Sequence, residues 1–252
     1  MKIAVKRAIL SANDQVAAEN RAHLDVAGVL TVNLMASPGA GKTSFILATA
    51  ERLPADVRPG VIEGDLASRI DADTVAAHGI PVTQINTGGG CHLDAPMVRP
   101  ALSQLPLADI EVLFIENVGN LVCPAEFDLG AHLAVVIASA PEGHDKPYKY
   151  PGMFARADAV ALNKADMLAV FEFDLDYFAR GVRLVNPRAP LFVLSCRTGE
   201  GFGAWMSWLL DRRSAHAVVP PLAPPCPRGG RKAEDRRPSK TGDYRGLSAR
   251  DR

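Results

Sequence analysis

Leu30-Thr31-Val32-Asn33-Leu34-Met35, running into Ala36-Ser37-Pro38-Gly39-Ala40-Gly41-Lys42-Thr43, decides the fold of this chain. A largely apolar, β-branched run reads as a buried strand, and Thr43 to Leu53 carries helix-compatible spacing. Strand, glycine-rich turn and helix, in that order, are the context a phosphate-binding loop requires. The glycines let backbone N–H groups turn inward around phosphate oxygens, and the helix N-terminus adds positive potential. Lys42 is placed to reach the β- and γ-phosphates, and the Thr43 hydroxyl to hold Mg²⁺. Gly39, Ala40, Gly41, Lys42, Thr43 and Ser44 are therefore the candidate nucleotide-binding residues, with Lys42 also a candidate catalytic group. Ala36 stands where the general pattern G-x-x-x-x-G-K-S/T has its first glycine, so a plain strand-to-helix turn is the competing reading.

Outward from this stretch, further short apolar runs alternate with helical patterns. Val29-Met35, Gly60-Ile62, Pro81-Ile85, Val112-Ile115, Leu133-Ile137, Ala159-Leu162 and Leu191-Leu194 read as strands. Thr43-Leu53, Leu66-His78, Leu93-Leu105 (kinked at Pro100), Phe171-Arg180 and Gly201-Arg213 read as helices. The alternation predicts an α/β fold, a doubly wound and mostly parallel sheet of the P-loop NTPase type. The expected organisation is a helical segment over 1–28, a nucleotide-binding domain over 29–216 and a tail over 217–252.

Two strand ends deliver acids to the carboxyl edge of that sheet. Asp65 closes Val61-Ile62-Glu63-Gly64, and Glu116 closes Val112-Leu113-Phe114-Ile115; each is a candidate Mg²⁺ ligand and catalytic group, or alone a solvated loop charge. Asn117-Val118-Gly119 after Glu116 brings a flexible backbone N–H within reach of a γ-phosphate. A third strand ends in Asn163-Lys164-Ala165-Asp166, which resembles the guanine-specificity motif of GTPases. In such a motif the carboxylate accepts hydrogen bonds from guanine N1–H and the 2-amino group; adenine would leave it desolvated and unpaired, so GTP is expected over ATP. Ser195 and Cys196, in Ser195-Cys196-Arg197-Thr198-Gly199, belong to the loop expected over the base.

Gly88-Gly89-Gly90-Cys91-His92 follows one strand, and Val122-Cys123-Pro124 follows the strand that ends on Glu116. Cys91, His92 and Cys123 could meet at one edge of the sheet, Cys91 at a helix N-terminus that favours its thiolate; two thiolates and an imidazole suit Ni²⁺ or Zn²⁺. Buried core thiols are the alternative, which the three glycines weigh against. Three ligands are one short of a tetrahedral site, which water, a client or a second subunit would complete.

These residues resemble the HypB-type nickel-incorporation GTPases of nickel-iron hydrogenase maturation, within the dimerising class of P-loop NTPases. The resemblance runs from about residue 10 to 215, through Asn13-Asp14, Ala18-Arg21, Asn33-Thr43, Val61-Asp65, Gln84-Asp94, Phe114-Pro124, Glu142-Pro151, Asn163-Asp166 and Ser195-Gly201. It implies a GTPase of slow turnover, with Mg²⁺ held by Thr43, Asp65 and Glu116 and a regulatory Ni²⁺ or Zn²⁺ site at Cys91, His92 and Cys123. It further implies a GTP-dependent homodimer, with Lys146 and Lys149 near the partner's nucleotide, and interactions with a maturation partner and the hydrogenase large subunit. That family's loop tolerates a small residue such as Ala36. A nickel- or cobalamin-handling GTPase for another client, such as urease, and a non-hydrolysing metal-sensing scaffold are the alternatives. Many relatives carry a Cys-rich or His-rich nickel-storage stretch, whereas this chain has no cysteine before Cys91 and six scattered histidines.

Composition narrows the rest. In 252 residues, 28 basic side chains balance 28 acidic ones, so no global field favours nucleic acid or an anionic membrane. The longest apolar run, Leu129 to Ala140, is too short to span a bilayer, and Met1 to Leu10 lacks the apolar core of a signal peptide. A cytoplasmic location is expected, where the four cysteines stay reduced. From Ala217 onward, six prolines and nine basic residues against four acidic ones predict a disordered extension.

Overall fold

The computed structural model describes residues 2–66 and 68–217, with side chains from residue 9 onward; of the expected tail, Ala217 ends a helix and the rest, with Cys226, lies outside the described residues. The chain runs α1 (Lys2–Ala27), β1 (Leu30–Ala36), α2 (Lys42–Ala50), β2 (Pro59–Asp65), α3 (Ile70–Ala77), β3 (Val82–Asn86), α4 (Ala95–Leu102) and β4 (Val112–Glu116). It continues through β5 (Leu133–Ser139), α5 (Lys146–Lys149), α6 (Pro151–Ala155), β6 (Ala159–Asn163), α7 (Leu175–Val185), β7 (Leu191–Val193) and α8 (Phe202–Ala217). The seven strands form one sheet in the order β3-β2-β4-β1-β5-β6-β7, every pair parallel. The doubly wound α/β expectation holds, with the strand that feeds the phosphate loop at the centre.

Strand period sorts the core into two layers. Leu30, Val32, Leu34 and Ala36 of β1 face Phe45 and Ile46 of α2 and Phe202 and Trp205 of α8. On the other face, Leu24 of α1 and Val98 and Leu102 of α4 cover Ile62, Leu113 and Ile115, while Phe154 of α6 and Phe178 of α7 cover Met35 and Val136. A sheet buried on both faces is what the near-continuous apolar runs of its strands require.

Helix boundaries differ from the sequence reading in ways with identifiable causes. The third helix starts at Ala95 rather than Leu93, because the Asp94 side chain accepts from the Met97 N–H and sets the N-cap there. Pro100 lies inside it, without an N–H to give the preceding turn, and the helix closes at Leu102 rather than Leu105. β2 extends to Asp65, and the following helix starts only at Ile70. The segment Pro141 to Pro151, outside the strands and helices read from the sequence, holds α5 and leads into α6.

α1 is pinned to the body by buried amides. Asn13 Nδ2 donates to the Asp128 carbonyl and its Oδ1 accepts from Ala95 N, at 2.9 Å each. Asn20 Nδ2 donates to the carbonyls of Ala95 (3.0 Å) and Leu129 (3.1 Å). At the amino edge of the sheet, His132 Nδ1 accepts from Thr31 N and Nε2 contacts Asp25 Oδ1, so both ring nitrogens are used. Burial pushes this histidine down to about 4 despite Asp25, and it stays neutral near pH 7. Replacing Asn20 by Leu removes the donor that the Ala95 and Leu129 carbonyls share, and urea denaturation should show a loss of about 1–3 kcal/mol.

Candidate functional site

The β1–β4 pairing, with Leu34 opposite Glu116, places the loop after β1 beside the end of β4. Gly41 caps α2 in the left-handed region, φ 96°, and a Cβ there would lie 2.7 Å from Asn163 Nδ2, so only glycine fits. α2 starts at Lys42, and the N–H groups of Lys42, Thr43 and Ser44 have no acceptor within the helix, which leaves them for an anion. Lys42 Nζ stands 3.9 Å from Glu116 Oε1, and the Thr43 hydroxyl donates to the same oxygen at 3.0 Å. The sequence-predicted trio of Lys42, Thr43 and Glu116 therefore meets at one oxygen.

The acid cluster is larger than the sequence reading had it. Glu116 and Glu63 stand opposite each other on β4 and β2, and both are buried. A ligand oxygen of Glu63 lies within 4.8 Å of one on Asp65 and one on Asp71 of α3. Asp65 Oδ1 also accepts from Ser68 N at 3.0 Å. Burial drives Glu116 up to about 7, against the pull of Lys42 and the Thr43 hydrogen bond. Burial, with the nearby Glu116, Asp65 and Asp71, drives Glu63 up to about 8. One oxygen of each glutamate, Oε2, is buried without a hydrogen-bond partner. Hard oxygens, clustered and unsatisfied beside a threonine hydroxyl, fit Mg²⁺. Glu63 and Asp71 were missed because Glu63 sits inside an apolar strand and Asp71 looks like a solvated helix charge.

The base end is built by three strand ends. Asn163 Nδ2 donates to the Ala40 carbonyl (3.0 Å), and Lys164 Nζ to the Gly39 carbonyl (2.7 Å), so the base motif braces the phosphate loop directly. Asp166 accepts from the Ser195 hydroxyl at 2.6 Å and from Arg197 Nε at 2.9 Å. Ser195, and then Arg197, hold its carboxyl below the usual range, which keeps it an acceptor. Cys196 contributes its backbone N–H to Asn163 Oδ1 at 3.2 Å, while burial pushes its thiol up to about 11. Gly41, Ser44, Asn163, Asp166 and Ser195 line a cleft of about 470 Å³. Arg197 is the participant that the sequence reading quoted but did not assign.

Cys91, His92 and Cys123 are brought together: the two Sγ atoms are 3.1 Å apart, and Cys91 Sγ lies 3.7 Å from His92 Nδ1. The imidazole stacks on Phe127 with ring centres 4.0 Å apart. Two adjacent thiols and an imidazole are a soft donor set, fitting Ni²⁺ or Zn²⁺ better than Mg²⁺. The facing Cys91 thiol pushes Cys123 up, so that thiol keeps its proton until a cation displaces it. Cys91 is not at a helix N-terminus, as the sequence suggested; three residues separate it from α4, whose cap is Asp94. Lys149 is paired with Asp145 at 2.5 Å on the surface of α5, and the Lys146 ammonium lies 5.6 Å from the centre of the Tyr150 ring.

The raised carboxyls set a stability trend with pH. Between the ordinary value of 4.5 and about 8, Glu63 is ionised in the unfolded chain but protonated in the folded one. The folded state then binds more protons, so stability falls as pH rises across that window and changes no further above it. Thermal unfolding of chelator-treated protein should show this fall, and Glu63→Gln should flatten part of it; an unchanged slope would contradict the assignment.

A family model described as CobW/HypB/UreG, nucleotide-binding domain, matches residues 30–193. The hydrogenase maturation factor HypB of Azotobacter chroococcum mcd 1 is 47% identical over 213 residues, covering 84% of this chain and 70% of the relative. The crystal structure of HypB from Helicobacter pylori in complex with nickel superposes with a TM-score of 0.78 at 38% identity, over 82% of this chain and 97% of that one. The crystal structure of HypB from Archaeoglobus fulgidus gives 0.75 at 36% identity, over 81% and 100%. The match runs through every strand of the sheet, and the chain belongs to the CobW/HypB/UreG family, among its HypB members.

Proposed function

We propose that this chain is a GTP-hydrolysing nickel chaperone that assists nickel insertion during nickel-iron hydrogenase maturation, acting in the cytoplasm. The observation that carries the reading is the continuity of Glu116 to Cys123, eight residues that start at the phosphate site and end in the soft-donor set. The nickel-bound relative supports nickel as the cargo. GTP rather than ATP follows from Asp166, whose ionised carboxylate matches the two donors of guanine.

In this reading the loop N–H groups and Lys42 hold the phosphates. Thr43, Glu116 and Asp65, with Glu63 and Asp71 close by, hold Mg²⁺, which neutralises phosphate charge when bound. Lys42 and Thr43 give up their contacts with Glu116 when they turn to the nucleotide, and Glu116, at the start of the Glu116–Cys123 segment, would be held by the cation instead. Turnover is slow. GTP binding drives homodimerisation, with Lys146 and Lys149 turned to the partner's nucleotide. Cys91, His92 and Cys123 then present Ni²⁺, or Zn²⁺ when nickel is scarce, near the shared interface. A hydrogenase maturation partner and the hydrogenase large subunit receive it.

A nickel titration of reduced protein, with GDP and with a non-hydrolysable GTP analogue, tests the cycle when metal per chain and molecular mass are read together. Nickel binding and mass should both depend on nucleotide, and Cys123→Ser should abolish stoichiometric nickel binding. Equal behaviour with both nucleotides would refute the coupling. Asp166→Asn should cost about 100-fold or more in GTP affinity through its two lost charge-assisted hydrogen bonds, with no comparable change for ATP.

A further inference from the structure

We infer that Asn117 is the positioning residue through which the phosphate end of the nucleotide site sets the geometry of the nickel loop, an assignment that rests on the function proposed above. Its side chain is fully buried, and every polar atom of it is used. Oδ1 accepts from Leu93 N at 3.0 Å and from Val118 N at 2.9 Å, and Nδ2 donates to Asn33 Oδ1 at 3.2 Å. Its backbone N–H donates to the Leu34 carbonyl at 3.1 Å. One amide, on the residue after Glu116, thus joins β1, which runs into the phosphate loop, to Val118 and to Leu93, the residue after His92.

The two arms of the soft-donor set are both referred to the phosphate loop, by different routes. The Cys123 arm is tied at Asn120, whose N–H donates to the Ala36 carbonyl at 2.8 Å and whose Oδ1 accepts from Val122 N at 2.8 Å. Between them Gly119 lies against Pro38, where a Cβ would stand 2.9 Å from Pro38 Cα and N. The Cys91–His92 arm is held through Leu93 and the Asn117 amide. A γ-phosphate entering beside Gly119 therefore cannot displace Glu116 to Gly119 without acting on both arms, and the distance between the two sulfurs is the quantity that responds.

An uncharged side chain that accepts twice and donates once is what this position demands, and Asn supplies it. Leu at 117 would leave the Leu93 N–H buried and unpaired, and Asp could not donate to Asn33. A purely structural role would change nickel affinity by the same factor in both nucleotide states. A coupling role changes their ratio, and by linkage the ratio of nucleotide affinities with and without nickel changes equally.

The test is competition of the full-length reduced protein against a chromophoric chelator for Ni²⁺, with GDP and Mg²⁺ and then with a non-hydrolysable GTP analogue and Mg²⁺. The wild-type affinities should differ by about fivefold or more. In Asn117→Leu the ratio should collapse towards unity while one Ni²⁺ per chain still binds; a variant that keeps the wild-type ratio overturns the assignment. Hydrogen exchange at the Leu93 amide of the wild-type protein is the second measurement, and it does not depend on the variant folding. Its protection should change between the two nucleotide states, and unchanged protection overturns the relay. A nucleotide-sensitive Leu93 amide with a wild-type nickel ratio of unity supports the relay and overturns the nickel cycle instead.

Discussion

The parallel pairing of β1 with β4 is the constraint on which both sites depend. Its register sets Leu34 opposite Glu116, so the chain leaving β1 as the phosphate loop and the chain leaving β4 towards Cys123 emerge side by side. The other neighbours of this pair complete the arrangement: β2 brings Glu63 level with Glu116, and β5 and β6 place Asn163 against the loop at Ala40. Parallel strands end at one edge by construction, which is why ligands of doubly wound sheets collect there. Slipping β4 by a single residue would turn Glu116 away from Thr43 and move its buried apolar neighbours to the opposite face of the sheet.

Much of this was legible in sequence, for reasons that differ residue by residue. All seven strands were found because a sheet covered on both faces writes continuous apolar runs. The phosphate loop was legible despite Ala36, since Gly41 and Lys42 sit between a strand and a helix. Helix ends were less legible: Asp94 looked like a residue inside a helix, and only its hydrogen bond to Met97 N shows it to be the cap. That two-residue difference takes Cys91 away from the helix N-terminus and leaves it in an exposed bend.

Long-range polar partnerships were the least legible. Glu63 has apolar neighbours in sequence, and its proximity to Glu116 depends on the crossover that inserts β4 between β2 and β1. Asn33 and Asn117 are 84 residues apart, and neither belongs to a motif that announces the other. The convergence of Cys91, His92 and Cys123 was anticipated from their places at strand ends, but the separation of the sulfurs is set by packing that sequence spacing does not encode.

The geometry of the candidate nucleotide site bears on selectivity and affinity. Its candidate recognition groups have partners within the chain: Asp166 has Ser195 and Arg197, Lys164 has the Gly39 carbonyl, and Thr43 has Glu116. Binding therefore exchanges hydrogen bonds rather than adding them, and the gain depends on what each exchange displaces. The bonds from Asn163 and Lys164 to loop carbonyls need not break, so they keep the phosphate cradle in shape before the ligand arrives. The Arg197 side chain is 74% exposed, and its ion pair with Asp166 is weakly held. Glu116 and Glu63 are different, because each holds a buried oxygen with no partner to lose. A cation entering there satisfies groups that were unsatisfied before, and the structure concentrates its unspent binding energy at the point where the Glu116 to Cys123 segment begins.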